Sequence, residues 1–155
     1  MTLKKDTYFT AFYHITFSTK QRRRLLTPQV QLVLQRYIVA FARSKNAKPL
    51  IVNGVRDHIH MLLFVSSPTF DLPAFVRDLK KNTNKICNED YGFRGMFAWQ
   101  SGYFAQALGR DRVDVCYNYI KNQQAHHVGM SFSEEWEKMK SAFEMDVEKT
   151  EKYSD

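Results

Sequence analysis

The strongest constraint on the fold lies between Ile59 and Val65, where Ile59, Met61, Leu62, Leu63, Phe64 and Val65 are apolar whatever their parity. Successive side chains of a strand point to opposite faces, so a strand of this composition has to be covered on both. It follows the strand predicted for Leu50–Val55 closely, and the two read as an antiparallel pair joined around Arg56-Asp57, with Pro49 opening the first and Asn53-Gly54 near its end. The polar exception is His58-Ile59-His60. Both imidazoles project from the face continued by Leu62 and Phe64, near a strand end that is expected to open to solvent. A neutral imidazole is a common ligand for divalent metals, and two on one strand make a chelating edge. A hydrogen-bonded pair without metal is the bland alternative.

The rest of the chain supplies the cover. Tyr8–Phe17 is a β-branched and aromatic run that predicts a first strand. Thr27-Pro28 reads as an N-cap followed by proline in the first helical turn, opening an amphipathic helix to about Lys45 through Leu32, Leu34, Tyr37, Ile38 and Phe41. Asp71 caps a second helix whose apolar face is Leu72, Phe75, Val76, Leu79, Thr83 and Ile86, with Arg77, Lys80, Lys81 and Lys85 on its exposed side. Phe97–Phe104 is expected to be extended, and Asp111–Ala125 to be a third helix. Ser131-Phe132-Ser133-Glu134 matches a capping box and opens a polar tail helix to about Glu144. The order β-α-β-β-α-β-α predicts an α+β sandwich, ferredoxin-like, with a mainly antiparallel sheet covered by helices.

With 155 residues and 44% hydrophobic content, one core and a single domain are expected. A formal charge of +7 favours a polyanionic partner such as nucleic acid, and the 12 Phe, 8 Tyr and 2 Trp include rings able to stack on unpaired bases besides filling the core. Cys87 and Cys116 sit in predicted helices without metal-type spacing, which favours a reduced setting. The start Met1–Asp6 lacks the apolar stretch of a signal peptide, and no run reaches membrane-spanning length, so a cytoplasmic protein is expected.

Within the third helix, Tyr119 and Gln123 are four residues apart and share a face. Should that face meet the histidine pair, Gln123 offers a carbonyl oxygen as a third ligand and Tyr119 places a nucleophile beside the metal. Tyr117 lies about 200° around the helix from Tyr119 and cannot serve the same site. A core aromatic is the plain alternative for Tyr119, since Val115 precedes it on the same face.

The stretches Tyr13–Lys20 with Arg22-Arg23-Arg24, then Gly54–Leu62, then Trp99–Phe104, then Tyr119–Gln123 with His126-His127, resemble the HUH-type single-tyrosine transposases of small insertion sequences that move as single-stranded DNA, together with their domesticated REP-associated relatives. The resemblance covers roughly residues 8–127 and implies a transposase domain over 1–130, with 131–155 a helical tail of the same domain. It implies that His58 and His60 are metal ligands, Gln123 the third ligand and Tyr119 the nucleophile that becomes joined to a DNA 5′ phosphate. It further implies a divalent ion, Mg2+ or Mn2+, single-stranded DNA hairpins as substrate, and a homodimer in which the tyrosine helix can complete the partner's site. Lys20, Arg22, Arg23, Arg24, Lys80, Lys81 and Lys85 are expected to contact DNA phosphates. His126 and His127 are read as structural or DNA-proximal rather than as ligands, His14 as packed or hydrogen-bonded, and Asp57 as pointing away from His58. A domesticated hairpin-binding protein or endonuclease that no longer mobilises its own gene is the main alternative function. A plain metal phosphodiesterase using activated water and a base-stacking RNA-binding module are the others.

Overall fold

The computed structural model of the protein describes residues 6–153; the chain start, Met1 to Lys5, on which most of the signal-peptide reading falls, lies outside them, as do Ser154 and Asp155. The elements are β1 (Ala11–Ser18), α1 (Pro28–Ser44), β2 (Ala47–Gly54), β3 (His58–Val65), α2 (Leu72–Asp90), β4 (Phe104–Leu108), α3 (Val113–Lys121), α4 (Gln123–Gly129) and α5 (Phe132–Thr150). The four strands form one sheet in the order β2-β3-β1-β4, every neighbour antiparallel. This is the predicted ferredoxin-like α+β arrangement. The twofold-apolar strand β3 is central, as its composition requires.

Alternation along β3 splits the molecule into two layers. Ile59, Met61, Leu63 and Val65 join Ile15 and Phe17 of β1 in the main core, which α1 closes with Val30, Leu34, Ile38 and Ala42 and α2 with Phe75, Val76, Leu79 and Cys87. The α1 side chains recur at four-residue spacing, the stripe a helix presents to one surface, and each large one buried contributes about 1.5–3 kcal/mol. The opposite face carries His58, His60 and Leu62, with Cys116 and Ile120 of α3 packed on Leu62. Both cysteines are free and buried.

The N-caps fall where the sequence puts them: Thr27 accepts from Val30 N–H, Asp71 from Ala74 N–H and Ser131 from Glu134 N–H. Other boundaries move. Tyr8 is 92% exposed and lies outside the sheet, because β1 pairs over Ala11–Ser18 and its partner β3 ends at Val65. Pro49 lies inside β2, beside an irregularity in register; β2 is an edge strand, where a missing N–H is tolerated. The strand expected over Phe97–Phe104 instead begins at Phe104. Before it, the Asn88 side chain substitutes for a ladder, its amide donating to Phe97 C=O and its oxygen accepting from Phe97 N–H, both at 3.0 Å. Trp99 pairs with the sheet only through an isolated bridge to Thr19, its indole N–H donating instead to Thr83 Oγ1 at 2.9 Å. The predicted third helix is two, interrupted at Asn122, and α5 runs to Thr150 rather than Glu144.

Candidate functional site

The histidine-bearing face does not open to solvent. His58 and His60 are fully buried, because the first turn of α5 lies over them: the Phe132 ring stacks on His58 with centroids 4.0 Å apart, and Glu135 reaches beneath. Around these two rings the chain gathers side chains from five segments. His14 of β1 is hydrogen-bonded through Nε2 to His60 Nδ1 at 2.8 Å. Asp57 Oδ1 lies 2.7 Å from His58 Nδ1 and accepts a hydrogen bond from its N–H. Gln123 Oε1 lies 3.2 Å from His58 Nε2. Tyr119 donates its hydroxyl to Glu135 Oε2, and its ring stands edge-on to His60 with centroids 5.6 Å apart.

Tyr119 and Gln123 thus meet the histidine pair from the same chain, Gln123 contacting His58 directly and Tyr119 reaching His60 through the shared carboxylate. Val115, which argued for a core role of Tyr119, is 55% exposed. The break at Asn122 does not separate the two residues, since Gln123 Nε2 still donates to Tyr119 C=O at 3.3 Å. Asn53 of β2 holds the broken turn: its amide donates to Ile120 C=O at 2.8 Å and Lys121 C=O at 3.3 Å, backbone carbonyls at the interruption, and to the side-chain oxygen Gln124 Oε1 at 3.1 Å.

One further reading from sequence needs correction, and one residue was missed. Asp57 does not point away from His58: it sits in the bend before β3, where strand alternation has not begun. His126 and His127 both turn towards the site, their Nε2 atoms 3.2 and 3.0 Å from Glu135 Oε2. His127 makes a hydrogen bond there, whereas His126 Nε2 is the one buried side-chain polar atom without a hydrogen-bond partner among the described residues. Glu135 itself, 2% exposed and central to the cluster, has no place in the sequence reading. Its signal is a carboxylate on the apolar stripe Phe132, Glu135, Trp136, Met139 of an otherwise polar helix.

Burial and the shared carboxylate set the charges. Burial, reinforced by His60, pushes the His14 pKa down to about 3, and burial pushes His60 down to about 4. Both rings are therefore neutral. Because His60 Nε2–H donates to Glu135 Oε1 at 2.8 Å, its Nδ1 accepts from His14 Nε2–H. For His58 burial again opposes charge, but the bonds to Asp57 and Glu135 outweigh it and raise the pKa. Burial favours the neutral acid of Glu135, yet the donors His58, His60 and Tyr119 hold it far below the usual carboxylate range. Burial and then Glu135 push the Tyr119 hydroxyl well above the ordinary phenol value.

The donor set suits a divalent cation. His58, His127 and Glu135 present ligand atoms all within 4.8 Å of one another, and His58 has the carboxylate-bonded Nδ1 that fixes the tautomer of a metal-binding imidazole. The site is reached along a groove of about 600 Å³ between β4 and α5, walled by Phe104, Met139 and Phe143 and floored by Tyr119 and Glu135.

The basic residues divide. Lys20, Arg22, Arg23 and Arg24 are exposed in the turn between β1 and α1, on the side of the site, and the Arg22 guanidinium lies 5.7 Å from the centre of the Phe132 ring. Lys81 and Lys85 are exposed on α2, across the sheet from the histidines. Lys80 is half-buried and committed, donating to Gln100 C=O at 2.8 Å and Gly102 C=O at 2.5 Å.

Residues 7–123 match the family described as transposase IS200 like. The chain belongs to the IS200-like transposase family. Two relatives, the transposases for insertion sequence element IS200 of Salmonella typhimurium and Salmonella typhi, are each 28% identical over 116 residues, covering 72% of this chain and 75% of theirs. The fold resembles the crystal structure of a candidate transposase from Deinococcus radiodurans at a TM-score of 0.64, with 21% identity over 79% of this transposase and 98% of that chain. It also resembles a REP-associated tyrosine transposase bound to a REP hairpin, at a TM-score of 0.61 and 19% identity over 82% of this chain and 74% of that one. Among the described residues no helix is long and apolar enough to cross a membrane.

Proposed function

We propose that this transposase cleaves and rejoins single-stranded DNA at hairpin-containing element ends, with Tyr119 as nucleophile and a divalent ion, Mg2+ or Mn2+, held by His58, His60 and Gln123. The observation that carries the reading is the convergence of residues 58–60 and 119–123, far apart in sequence, on one buried cluster. When bound, the ion supplies Lewis-acid polarisation of the scissile phosphate. Asp57 fixes the tautomer and orientation of His58, and Gln123 is buried with its oxygen turned to that ring. Tyr119 Oη forms a bond to phosphorus as the bond from phosphorus to the 3′ oxygen breaks. The leaving oxygen departs with the electron pair and takes up a proton, and the phenol loses one, so the step is proton-neutral. Rejoining reverses it with another 3′ hydroxyl, so the phosphodiester energy is conserved in the phosphotyrosine.

Hairpin DNA as substrate is supported by the REP hairpin in the resembling transposase, by the net charge of +7 and by the exposed Lys20 and Arg22–Arg24 turn beside the site. The same resemblance favours the second reading, a domesticated REP-associated hairpin-binding protein or endonuclease that does not mobilise its own gene. A homodimer in a reduced cytoplasm is the expected setting. Because the cluster is assembled within one chain, cleavage in cis needs no partner residue. Incubation with a hairpin-bearing single strand and Mn2+ is expected to yield a covalent 5′-phosphotyrosine adduct that Tyr119→Phe abolishes. Cleavage by Tyr119→Phe at the wild-type rate, or cleavage without an adduct, overturns the assignment in favour of water as nucleophile.

A further inference from the structure

The family match ends at residue 123, yet the most connected group in the site, Glu135, lies twelve residues beyond it, on α5. Its placement is built in. Ser131 caps the helix, Phe132 is clamped between the His58 ring and the Arg22 guanidinium, and Glu135 follows one turn later on the same side. A carboxylate 2% exposed is costly unless its lone pairs are satisfied, and every partner it has among the described residues is an imidazole or the Tyr119 hydroxyl. The two oxygens face different ways. Oε1 lies 2.8 Å from His60 Nε2 and 3.4 Å from His58 Nε2; Oε2 takes the Tyr119 hydroxyl and lies 3.0 Å from His127 Nε2.

These separations, which are hydrogen-bond distances, would also fit atoms sharing a coordination shell. Bonds of about 2.1 Å at right angles put neighbouring donor atoms about 3 Å apart. His60 Nε2 to Glu135 Oε1, His58 Nε2 to Glu135 Oε1 and His58 Nε2 to Gln123 Oε1 are 2.8, 3.4 and 3.2 Å. The donors His58, His60 and Gln123 bring no charge to a hard divalent cation. Glu135 brings one, and carboxylate oxygen is the donor such ions favour.

We infer that Glu135 is a fourth donor to the ion, supplied by the helix beyond the family-matched segment, and that its second oxygen orients the Tyr119 hydroxyl, so that one carboxylate couples ion binding to placement of the nucleophile. The inference rests on the metal-dependent reading of this site. The competing role for the same contacts is a plug, in which Glu135 fills the place of the ion and hinders it.

The two roles move Mn2+ affinity in opposite directions. The full chain, wild type and Glu135→Gln, is titrated with Mn2+ in the absence of DNA, followed by calorimetry or the electron paramagnetic resonance of free Mn2+, with circular dichroism showing that each is folded. Glu135→Asp, which keeps the charge on a shorter stem, is the second variant. Glu135→Gln is expected to weaken Mn2+ binding about tenfold or more, and Glu135→Asp to recover part of it. Unchanged or tighter binding by folded Glu135→Gln overturns the inference, the tighter result in favour of a plug. Should Glu135→Gln not fold, Glu135→Asp decides alone: weaker binding supports the inference, and equal or tighter binding overturns it. Adduct formation by the wild type separately tests the strand-transfer reading, and its failure leaves the Mn2+ comparison intact.

Discussion

Removing the Asp57 carboxylate tests whether the histidine edge is a prepared metal site or an ordinary buried network. In Asp57→Ala, His58 Nδ1–H loses its acceptor 2.7 Å away, and His58 is fully buried, so water cannot readily take over. A buried donor left unpaired costs about 1–3 kcal/mol, and bonds to charged groups lie at the upper end of that range. In a domain of this size each kcal/mol moves the melting temperature by roughly 2–4 °C, so an ion-free decrease of about 3–10 °C is expected. The functional loss is separate. Without Asp57 the imidazole is free to turn or change tautomer, and the loss of such an outer partner weakens metal binding by about 10–100-fold. Asp57→Asn keeps an acceptor oxygen without the charge and is expected to recover most of the stability but only part of the affinity. Thermal unfolding of the ion-free chain and Mn2+ titration read the two effects independently. An Asp57→Ala variant that melts and binds Mn2+ like the wild type refutes the reasoning.

Stability of the ion-free chain is expected to be greatest near pH 6.5. Below that pH the unfolded chain protonates His14 and His60 while the folded chain, with pKa values of about 3 and about 4, does not, so stability falls as pH drops towards 4 by on the order of 2 kcal/mol per pH unit. The raised pKa of His58 contributes stability that is complete below pH 6.5 and lost as pH rises through its folded value; urea melts from pH 4.5 to 8 that show no fall on the acid side exclude this account. Lys80→Met is expected to cost about 1–2 kcal/mol through the lost bonds to Gln100 and Gly102, whereas Lys81→Gln and Lys85→Gln leave the melt unchanged and, if α2 touches DNA, reduce the salt dependence of hairpin binding. A Lys80→Met melt equal to wild type removes its structural role. Asn53→Ala is expected to cost about 1–3 kcal/mol in urea and to slow adduct formation, because Asn53 holds the α3–α4 junction that carries both Tyr119 and Gln123; an unchanged adduct rate separates that junction from the chemistry.

Much of the molecule was legible in the sequence because its determinants are local or periodic. The composition of β3 required cover on both faces, and the element order then led to the observed sheet. Thr27, Asp71 and Ser131 marked helix starts because an N-cap is a contact within three residues. His58, His60, Tyr119 and Gln123 were found by spacing and resemblance. What escaped was set by contacts between distant segments. The helix break at Asn122 depends on an Asn53 side chain from another element, and the position of β4 on which backbone β1 leaves unpaired. Asp57 was misjudged because it lies one residue before alternation begins.

The sequence by itself determined the α+β class and the central strand, because side-chain periodicity and capping are properties of neighbouring residues, and spacing with resemblance singled out two imidazoles and a tyrosine. Only the tertiary structure decided that the imidazoles are buried rather than open, that Asp57 and His14 hydrogen-bond to them, and that a carboxylate from α5 joins them to Tyr119. Those outcomes depend on how α5 packs on the sheet, and Glu135 is separated from His60 by 75 residues of chain and 2.8 Å of space.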